Sequence, residues 1–286
     1  MKITTEIDKM QIFSRIIKKD NKSIGFVPTM GYLHDGHVSL IKNARKQNDI
    51  VVLSIFVNPL QFGPNEDYER YPRDIARDEE IAKKEGVDVV FYPKYEDMYP
   101  EGFSTYVEVP ELSKNLCGIS RIGHFKGVTT VCAKLFEIVK PDIAYFGQKD
   151  AQQAIIIKKM IEDLNMNIIM KILPVVREKD GLVMSSRNVN LNDKERKDAA
   201  ALYQSMKKAE ELYKNGERNT DKIVDAVSSL IREKETAKID YIKIVDLNTL
   251  KDLDRIKEKA LLALAVFIGK TRLIDNIALG AEDVWS

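Results

Sequence analysis

Two histidines, His34 and His37, stand three positions apart where a predicted strand leads into a predicted helix. Gly31 precedes them and Gly36 lies between them, and residues without a side chain let a backbone approach a bulky ligand closely. A helix N-terminus offers free N–H groups and the positive end of its dipole, both of which favour anions. With two imidazole donors at the same point, a nucleoside triphosphate site is favoured over an ordinary turn with surface histidines.

Metal-centred alternatives fit this segment less well. A zinc metalloprotease helix carries His-Glu-x-x-His, whereas His34 and His37 are three apart without an intervening glutamate. A zinc site that also uses His124 stays open, although nothing in the sequence fixes this third ligand. The segment 118–125 has the glycine spacing of a P-loop but lacks the Lys-Ser/Thr pair that a P-loop requires, so a P-loop is rejected.

A second polar segment, Phe146–Asp150 followed by Gln152 and Gln153, begins where another predicted strand ends. In a doubly wound sheet it lies at the carboxyl edge, where ligands of such folds bind. Lys149 there offers a point charge for a phosphate. Solvated loop charges and glutamines that start a helix explain this segment alone equally well.

Two further segments combine polar groups with turn residues. Met184–Asn188 offers two hydroxyls and a guanidinium that can surround a polyphosphate, and its position suits a closing lid as well as a polar interdomain linker. Asn58–Gly63 follows a predicted strand, and the Gln61 amide suits a hydroxyl or carboxylate of a small substrate. A turn built on Pro59 is also sufficient to explain that segment.

The elements that must position these segments alternate before Arg177. Apolar periodicity predicts helices over about 6–19, His37–Gln47, Pro72–Glu85, 127–140 and 150–164. Predicted strands are Ser23–Val27, Ile50–Val57, Val87–Phe91, Ile143–Phe146 and Ile168–Leu173. Repeated β-α-β units with unalternating apolar strands predict a doubly wound α/β domain, in which a parallel sheet is covered by helices on both faces.

The pattern changes after Arg177. Residues 177–192 are polar and indicate a linker or a functional loop. Helices over about 193–215 and 220–235 follow, and then strands at Ile239–Leu247, Ala260–Ile268 and Leu273–Leu279. Helices followed by clustered strands predict a smaller α+β domain with an antiparallel sheet. The predicted domains are therefore 1–184 and 185–286.

Composition limits the class of protein. The 286 residues favour two domains at about 150 residues each. The 45 basic against 44 acidic residues leave a net charge of +1, which argues against a nucleic-acid or membrane coat. The longest apolar run, Ala260–Ile268, is far shorter than the about 20 residues of a membrane span, and Met1–Glu6 lack a signal-peptide core. Cys117 and Cys132 cannot form a disulfide framework. A soluble, cytoplasmic protein without nucleic-acid or membrane partners is expected.

Five motifs in register resemble the pantoate–β-alanine ligases over nearly the whole chain. The matching segments are Val27–Gly31 with His34–His37, Phe56–Phe62, Cys117-Gly118 with Gly123–Phe125 and Gly127-Val128, Phe146–Asp150 with Gln152-Gln153, and Met184–Asn188. Ile122 departs from the pattern, in which a proline precedes Gly123. It touches none of the ligand positions that the resemblance transfers.

The resemblance implies an AMP-forming ligase that joins (R)-pantoate to β-alanine through a pantoyl-adenylate. It also implies a Rossmann-like nucleotidyltransferase domain, a mobile C-terminal domain, a homodimer, and Mg²⁺ that accompanies ATP without protein ligands being assigned. His37 takes the position of the proton donor, and Gln61 and Gln153 hold pantoate, with Gln61 also beside β-alanine. The residues implied for ATP are Met30, Gly31, Tyr32, Leu33, His34, Asp35, Gly36, His37, Gly147, Gln148, Lys149, Asp150, Val176, Met184, Ser185, Ser186 and Arg187.

The chemistry of that reaction agrees with the residue types. A carboxylate that attacks the α-phosphate builds negative charge, so N–H and cationic donors are the needed catalysts. We expect these from His34, His37, Lys149 and the segment Ser185–Arg187, in which Ser186 is the second hydroxyl. The alternatives are a nucleotidyltransferase acting on a substrate phosphate and a nucleotide-sensing module without turnover.

Overall fold

The computed structural model describes residues 1–64 and 66–280. In this part of the chain the strands are β1 (Lys2–Thr4), β2 (Ile24–Thr29), β3 (Ile50–Ile55), β4 (Val89–Phe91), β5 (Ile143–Gly147), β6 (Ile169–Leu173), β7 (Ala237–Val245), β8 (Ala260–Ile268) and β9 (Thr271–Leu279). The helices are α1 (Ile7–Lys19), α2 (Asp35–Gln47), α3 (Ile75–Lys84), α4 (Tyr95–Met98), α5 (Pro110–Ser113), α6 (Cys117–Ser120), α7 (His124–Val139), α8 (Ala151–Asp163), α9 (Asp193–Lys214) and α10 (Thr220–Arg232). Single 3₁₀ turns occupy Pro59–Gln61, Gln148–Asp150 and Ser186–Asn190.

The first sheet is parallel, with strand order β1-β4-β3-β2-β5-β6. The chain moves outward from β2 through β3 to β4 and then returns to place β5 and β6 on the other side of β2. The topological switch point therefore lies between the carboxyl ends of β2 and β5, where ligands of doubly wound sheets bind. The predicted fold class is confirmed, and the His34 and Lys149 segments both begin at this switch point.

Pro28 does not end β2, contrary to the expectation from sequence. The strand continues to Thr29 and pairs with β3 along its length, whereas its pairing with β5 is limited to Gly25 and Phe26. Pro28 has no N–H, and it lies beyond the residues that pair with β5. The short edge strand β1 was not predicted, because three residues carry too little periodic signal.

The second sheet is antiparallel, in the order β7-β8-β9, as predicted. Alternate residues of β8, such as Leu262 and Leu264, pack in one core with α9 and α10. The opposite face, with Leu261 and Ala263, packs against α5–α8 of the first half of the chain. Because both faces of β8 are covered, its sequence is apolar throughout.

The predicted boundary at 184 stays a prediction, and the last six residues of the predicted second domain, 281–286, lie outside the described residues. No helix in the described ranges is both long and apolar enough to cross a membrane.

Candidate functional site

One cleft follows the carboxyl edge of the parallel sheet and continues against the second sheet. It consists of a cavity of about 560 Å³ and a smaller one of about 170 Å³. Both are lined by Arg121, His124, Lys149, Asp150, Gln153, Ser185 and Arg187, so the two cavities adjoin. The predicted residues Met30, His34, His37, Gln61 and Ser186 also line the smaller cavity. Segments that are far apart in sequence therefore meet in one place.

The other predicted ATP-binding residues do not line either cavity: Gly31, Tyr32, Leu33, Asp35, Gly36, Gly147, Gln148, Val176 and Met184. Two of them, Leu33 and Val176, contact the segments or the core next to the cleft lining. Leu33 is fully buried in the core beside β3, and the Val176 carbonyl accepts the N–H of Met184 at 3.0 Å. A direct role of these residues in nucleotide binding stays a prediction.

The side chains of His34 and His37 together form a capping box at the N-terminus of α2. The Gly36 N–H donates to His34 Nδ1 (3.1 Å), and the His34 N–H donates to His37 Nδ1 (3.3 Å). Since each Nδ1 accepts a hydrogen bond, each neutral ring carries its proton on Nε2. The ring centroids are 4.0 Å apart. Both imidazoles therefore offer a neutral Nε2–H donor.

Both histidines are neutral at physiological pH in the free protein. Burial, followed by the nearby Lys149 ammonium, lowers the pKa of His34 from 6.5 to about 4. Burial and the adjacent His34 and Lys149 lower the pKa of His37 well below its usual value. Of the neutral and cationic forms that the sequence leaves open for these donors, the low pKa values favour two uncharged imidazoles beside a lysine.

Asp78 of α3, which sequence reasoning missed, holds the loop that precedes the histidines. Its buried carboxylate accepts the N–H groups of Tyr32 and Leu33, each at 2.7 Å. Gly31 has φ +82°, and a Cβ there would lie 2.9 Å from Asp78 Oδ2. Burial raises the pKa of Asp78 in spite of these hydrogen bonds.

The expectation that this loop offers its backbone to a ligand is therefore wrong for four N–H groups. Those of Tyr32 and Leu33 bind Asp78, and those of His34 and Gly36 bind the two imidazoles. A Cβ at Gly36 would lie 2.8 Å from His34 Cε1, so the His34 imidazole by itself requires a small residue there, and ligand approach at Gly36 stays a prediction. The side-chain donors that line the cleft at this point are His34, His37 and Lys149.

The Ser185–Arg187 segment is docked on the loop that follows β3. Arg187 donates to both carboxylate oxygens of Asp67, at 2.7 and 2.8 Å. Burial alone would raise the pKa of Asp67, but the Arg187 guanidinium lowers it below its ordinary value. Ser186 Oγ lies 3.1 Å from the Tyr71 hydroxyl, and Ser185 Oγ accepts the Arg187 N–H at 3.3 Å. The segment is thus held in place by its contacts with Asp67 and Tyr71 and still lines the cleft.

Gln61 is held at the edge of the smaller cavity by its neighbours. Its Oε1 accepts from Asn58 Nδ2 at 3.2 Å, and its Nε2 lies 3.2 Å from Met30 Sδ. The Asn58 amide donates in turn to the Gly127 carbonyl at 3.0 Å. A Cβ at Gly127 would lie 2.3 Å from the Leu60 carbonyl oxygen, so only glycine allows α7 to approach this turn.

The two adjacent glutamines of α8 have different environments. Gln152 is buried, donates to the carbonyls of Leu112 and Asn115, and accepts the Cys117 N–H. Gln153 is half-buried and lines both cavities. Gln152 is therefore a structural residue, and Gln153 is the one available to a ligand.

Arg121 and His124 form a polar pair that sequence reasoning did not assign to the site. Arg121 donates to both oxygens of Glu66 and to His124 Nε2 at 2.9 Å, and His124 Nδ1 donates to the Gln61 carbonyl at 2.7 Å. Burial and Arg121 lower the pKa of His124 to about 4. Both ring nitrogens are occupied, so the zinc site with His124 has no support.

The parallel sheet, the cleft at its switch point and the imidazole, lysine and arginine donors define an α/β protein built to hold a polyphosphate. The sequence matches the family "Pantoate-beta-alanine ligase" over residues 2–278, so the chain belongs to the pantoate–β-alanine ligase family.

Full-length relatives agree with this assignment. The pantothenate synthetase of Thermotoga petrophila is 56% identical over 98% of this chain and 100% of its own length. The crystal structure of pantothenate synthetase from Thermus thermophilus matches with a TM-score of 0.91 at 41% identity, covering 97% of this chain and 99% of that one. A pantoate–β-alanine ligase of Francisella tularensis, solved with "Beta-gamma ATP and Beta-alanine", matches with a TM-score of 0.81 at 37% identity, covering 97% of each chain. The predicted family and enzyme class are confirmed, and a nucleotidyltransferase is not favoured.

Proposed function

We propose that this cleft catalyses the ATP-dependent condensation of (R)-pantoate with β-alanine. In the first step a carboxylate oxygen of pantoate attacks the α-phosphorus, the bond to the β-phosphate oxygen breaks, and diphosphate leaves. In the second step the neutral amine of β-alanine attacks the acyl carbon of the pantoyl-adenylate, the bond to AMP breaks, and the amine loses a proton to solvent. No covalent enzyme intermediate is required.

One observation carries the proposal: His34, His37, Lys149, Ser185 and Arg187 converge on the cavity that Gln61 and Gln153 also line. Donors aimed at developing phosphate charge are the largest contribution expected for such a reaction. In this proposal the two Nε2–H groups and Ser185 supply neutral hydrogen bonds, and Lys149 and Arg187 supply charge. His37 donates to the departing diphosphate.

The smaller cavity suits a small branched hydroxy acid. Its floor is apolar, with Val128, Val131 and Leu135 of α7, and the amides of Gln61 and Gln153 stand beside it. Apolar walls accept methyl groups, while amides can bind hydroxyl and carboxylate oxygens. Pantoate has these groups, which supports its assignment to this cavity.

Mg²⁺ belongs with the nucleotide in this proposal. Within 1–64 and 66–280, no three His, Cys, Asp or Glu side chains are grouped as a metal site. Mg²⁺ bound with ATP keeps several waters and takes its other ligands from phosphates and one or two carboxylates. Asp150, at the junction of the two cavities, fits that donor set. The ion would shield phosphate charge there.

The predicted organisation completes the proposal. Residues 1–184 hold ATP and pantoate, residues 185–286 form the lid domain, and two chains form a homodimer in the cytoplasm. Size-exclusion chromatography with light scattering would test the dimer, and a mass of one chain would contradict it.

The direct test is to incubate the protein with ATP, Mg²⁺, pantoate and β-alanine and to identify the products. AMP, diphosphate and pantothenate are expected. With β-alanine omitted, labelled diphosphate should exchange into ATP, and omission of pantoate should abolish that exchange. ADP in place of AMP, or exchange without pantoate, would contradict the mechanism.

A further inference from the structure

Asn276, on β9 of the second sheet, is bound to the turn that carries Lys149. Its Nδ2 donates to the carbonyls of Gln148 (3.0 Å) and Lys149 (2.9 Å), and its Oδ1 accepts from Gln148 Nε2 (3.2 Å). The side chain is buried, with 4% of the residue exposed. Both N–H groups and one lone pair of the side-chain amide therefore bind Gln148 and Lys149, and one lone pair is left over.

Asn276 is itself anchored by its neighbour. The Asn276 N–H donates to Asp275 Oδ1 at 2.7 Å, and the buried Asp275 carboxylate accepts from Arg177 at 2.7 and 2.9 Å. Arg177 also pairs as an isolated bridge with Val183, directly before the Met184–Arg187 segment. Asn276 thus holds the turn that carries Lys149, and Asp275 is linked through Arg177 to the segment that carries Arg187.

The turn needs such a support. Gln148–Asp150 is a single 3₁₀ turn, and turns of this length have poor internal hydrogen-bond geometry. The Lys149 ammonium has no carboxylate closer than Asp150 Oδ2 at 3.5 Å among the described residues, so ion pairing does not fix its position firmly. The direction of the Lys149 side chain therefore depends on how its backbone is held.

We propose that Asn276 is a positioning residue for the first half-reaction, acting through Lys149. By binding the carbonyls of the two peptide groups that flank the Lys149 Cα, it fixes the turn so that the ammonium faces the phosphates. The second domain is then part of the adenylation machinery and not only a lid. This inference rests on the proposed function of Lys149.

The test is a double-mutant cycle of Asn276→Ala with Lys149→Ala, read as diphosphate exchange with ATP and pantoate. A misplacement of about 1 Å at a reacting centre costs about 100-fold in rate, so kcat of Asn276→Ala should fall by about that factor. In the Lys149→Ala background the same change should alter kcat by no more than about twofold. The KM for pantoate should stay within about twofold, since Asn276 does not line the smaller cavity.

Asn48→Ala is the matched control. Asn48 is also a buried asparagine that donates two side-chain hydrogen bonds, to the Ala44 carbonyl (2.9 Å) and the Tyr145 hydroxyl (2.8 Å), but it lies outside the cleft lining. Its effect on kcat should be the same with Lys149 or Ala at position 149. If Asn276→Ala does not fold, Asn276→Asp keeps the shape and the Oδ1 acceptor and should show the same lack of additivity.

The outcomes separate the inference from the proposed function. A wild-type protein without exchange activity would overturn the proposed function, and the inference with it. Wild-type activity with additive losses in the cycle would overturn the inference alone, because Asn276 would then be merely structural. Full exchange in Lys149→Ala would also overturn it. Loss of kcat only when Lys149 is present would support it.

Discussion

Substitution of His37 tests whether the imidazole acts as a neutral hydrogen-bond donor, as a proton donor or as a cation. His37→Gln, His37→Asn and His37→Ala form a graded series. A glutamine amide nitrogen reaches about as far as imidazole Nε2 and keeps a neutral donor there. Asparagine reaches only as far as Nδ1, so it can still accept the His34 N–H but presents no donor to the cleft.

The structure sets the expected magnitudes. The His37 pKa is far below 6.5, so the neutral ring with its proton on Nε2 is the form that meets ATP. Loss of one donor to a developing oxyanion costs about 10²–10³ in kcat, and this is expected for His37→Ala and His37→Asn. His37→Gln should stay within about tenfold of wild type, or about 1.4 kcal/mol, because it supplies an uncharged donor at the same place.

The assay is pantoate-dependent diphosphate exchange, measured as kcat/KM for ATP against pH, because this ratio reports the ionisation of the free enzyme. With the pKa of His34 at about 4 and that of His37 also low, the profile should have no histidine inflection near pH 6.5. An inflection there that disappears in His37→Gln would refute the neutral-donor reasoning. So would a glutamine variant as slow as the alanine variant.

Three further outcomes are expected. Gln153→Ala should weaken pantoate binding about tenfold, because a hydrogen bond is lost, while ATP binding should change by less than about twofold. Both dissociation constants can be measured by calorimetry, and equal losses of affinity for the two ligands would contradict the assignment of Gln153 to the pantoate site. Asp78→Ala should lower the free energy of unfolding in urea by about 2–4 kcal/mol, because two backbone N–H groups lose their acceptor, and an unchanged midpoint would contradict this. The pKa of His124 is about 4 in the folded protein against 6.5 when unfolded, so the unfolded chain binds more protons between these values. The contribution of His124 to stability is complete above pH 6.5 and falls by up to about 3 kcal/mol as the pH drops towards 4. His124→Gln should make the urea midpoint less dependent on pH in that window.

Local patterns were sufficient to predict the sheet and its ligand edge. Continuous apolar runs such as Ile50–Ile55 are strands buried on both faces. The helices between them differ because their apolar residues recur with a period of about 3.6. The position of the Lys149 segment at the carboxyl edge followed from the doubly wound class, whereas the pairing of β2 with β5 was seen only in the structure. Short elements such as β1 and α4–α6 were missed, because three or four residues cover little more than one period and do not show a repeating pattern.

The supporting residues of the site could not be predicted, because their contacts join distant parts of the chain. Arg187 binds Asp67 across 120 positions, and Asn276 binds the Gln148 carbonyl across 128. Asp78 left a local signal: it lies three and four positions before Ile81 and Ala82, on the apolar side of α3. A charged residue at such a position has to have a partner, and the sequence alone does not show which one.

The charges of the cleft support the proposal that Mg²⁺ accompanies the nucleotide. At the junction of the two cavities, Arg121 is paired with Glu66, Arg187 with Asp67, and Lys149 lies near Asp150. Because the neighbouring imidazoles are uncharged, the cations at this junction are already balanced by carboxylates. An entering triphosphate must therefore displace those carboxylates or bring its own counter-charge. In the proposed reaction a divalent cation would supply that charge, and the protein donors would then be directed at the charge that develops during the reaction.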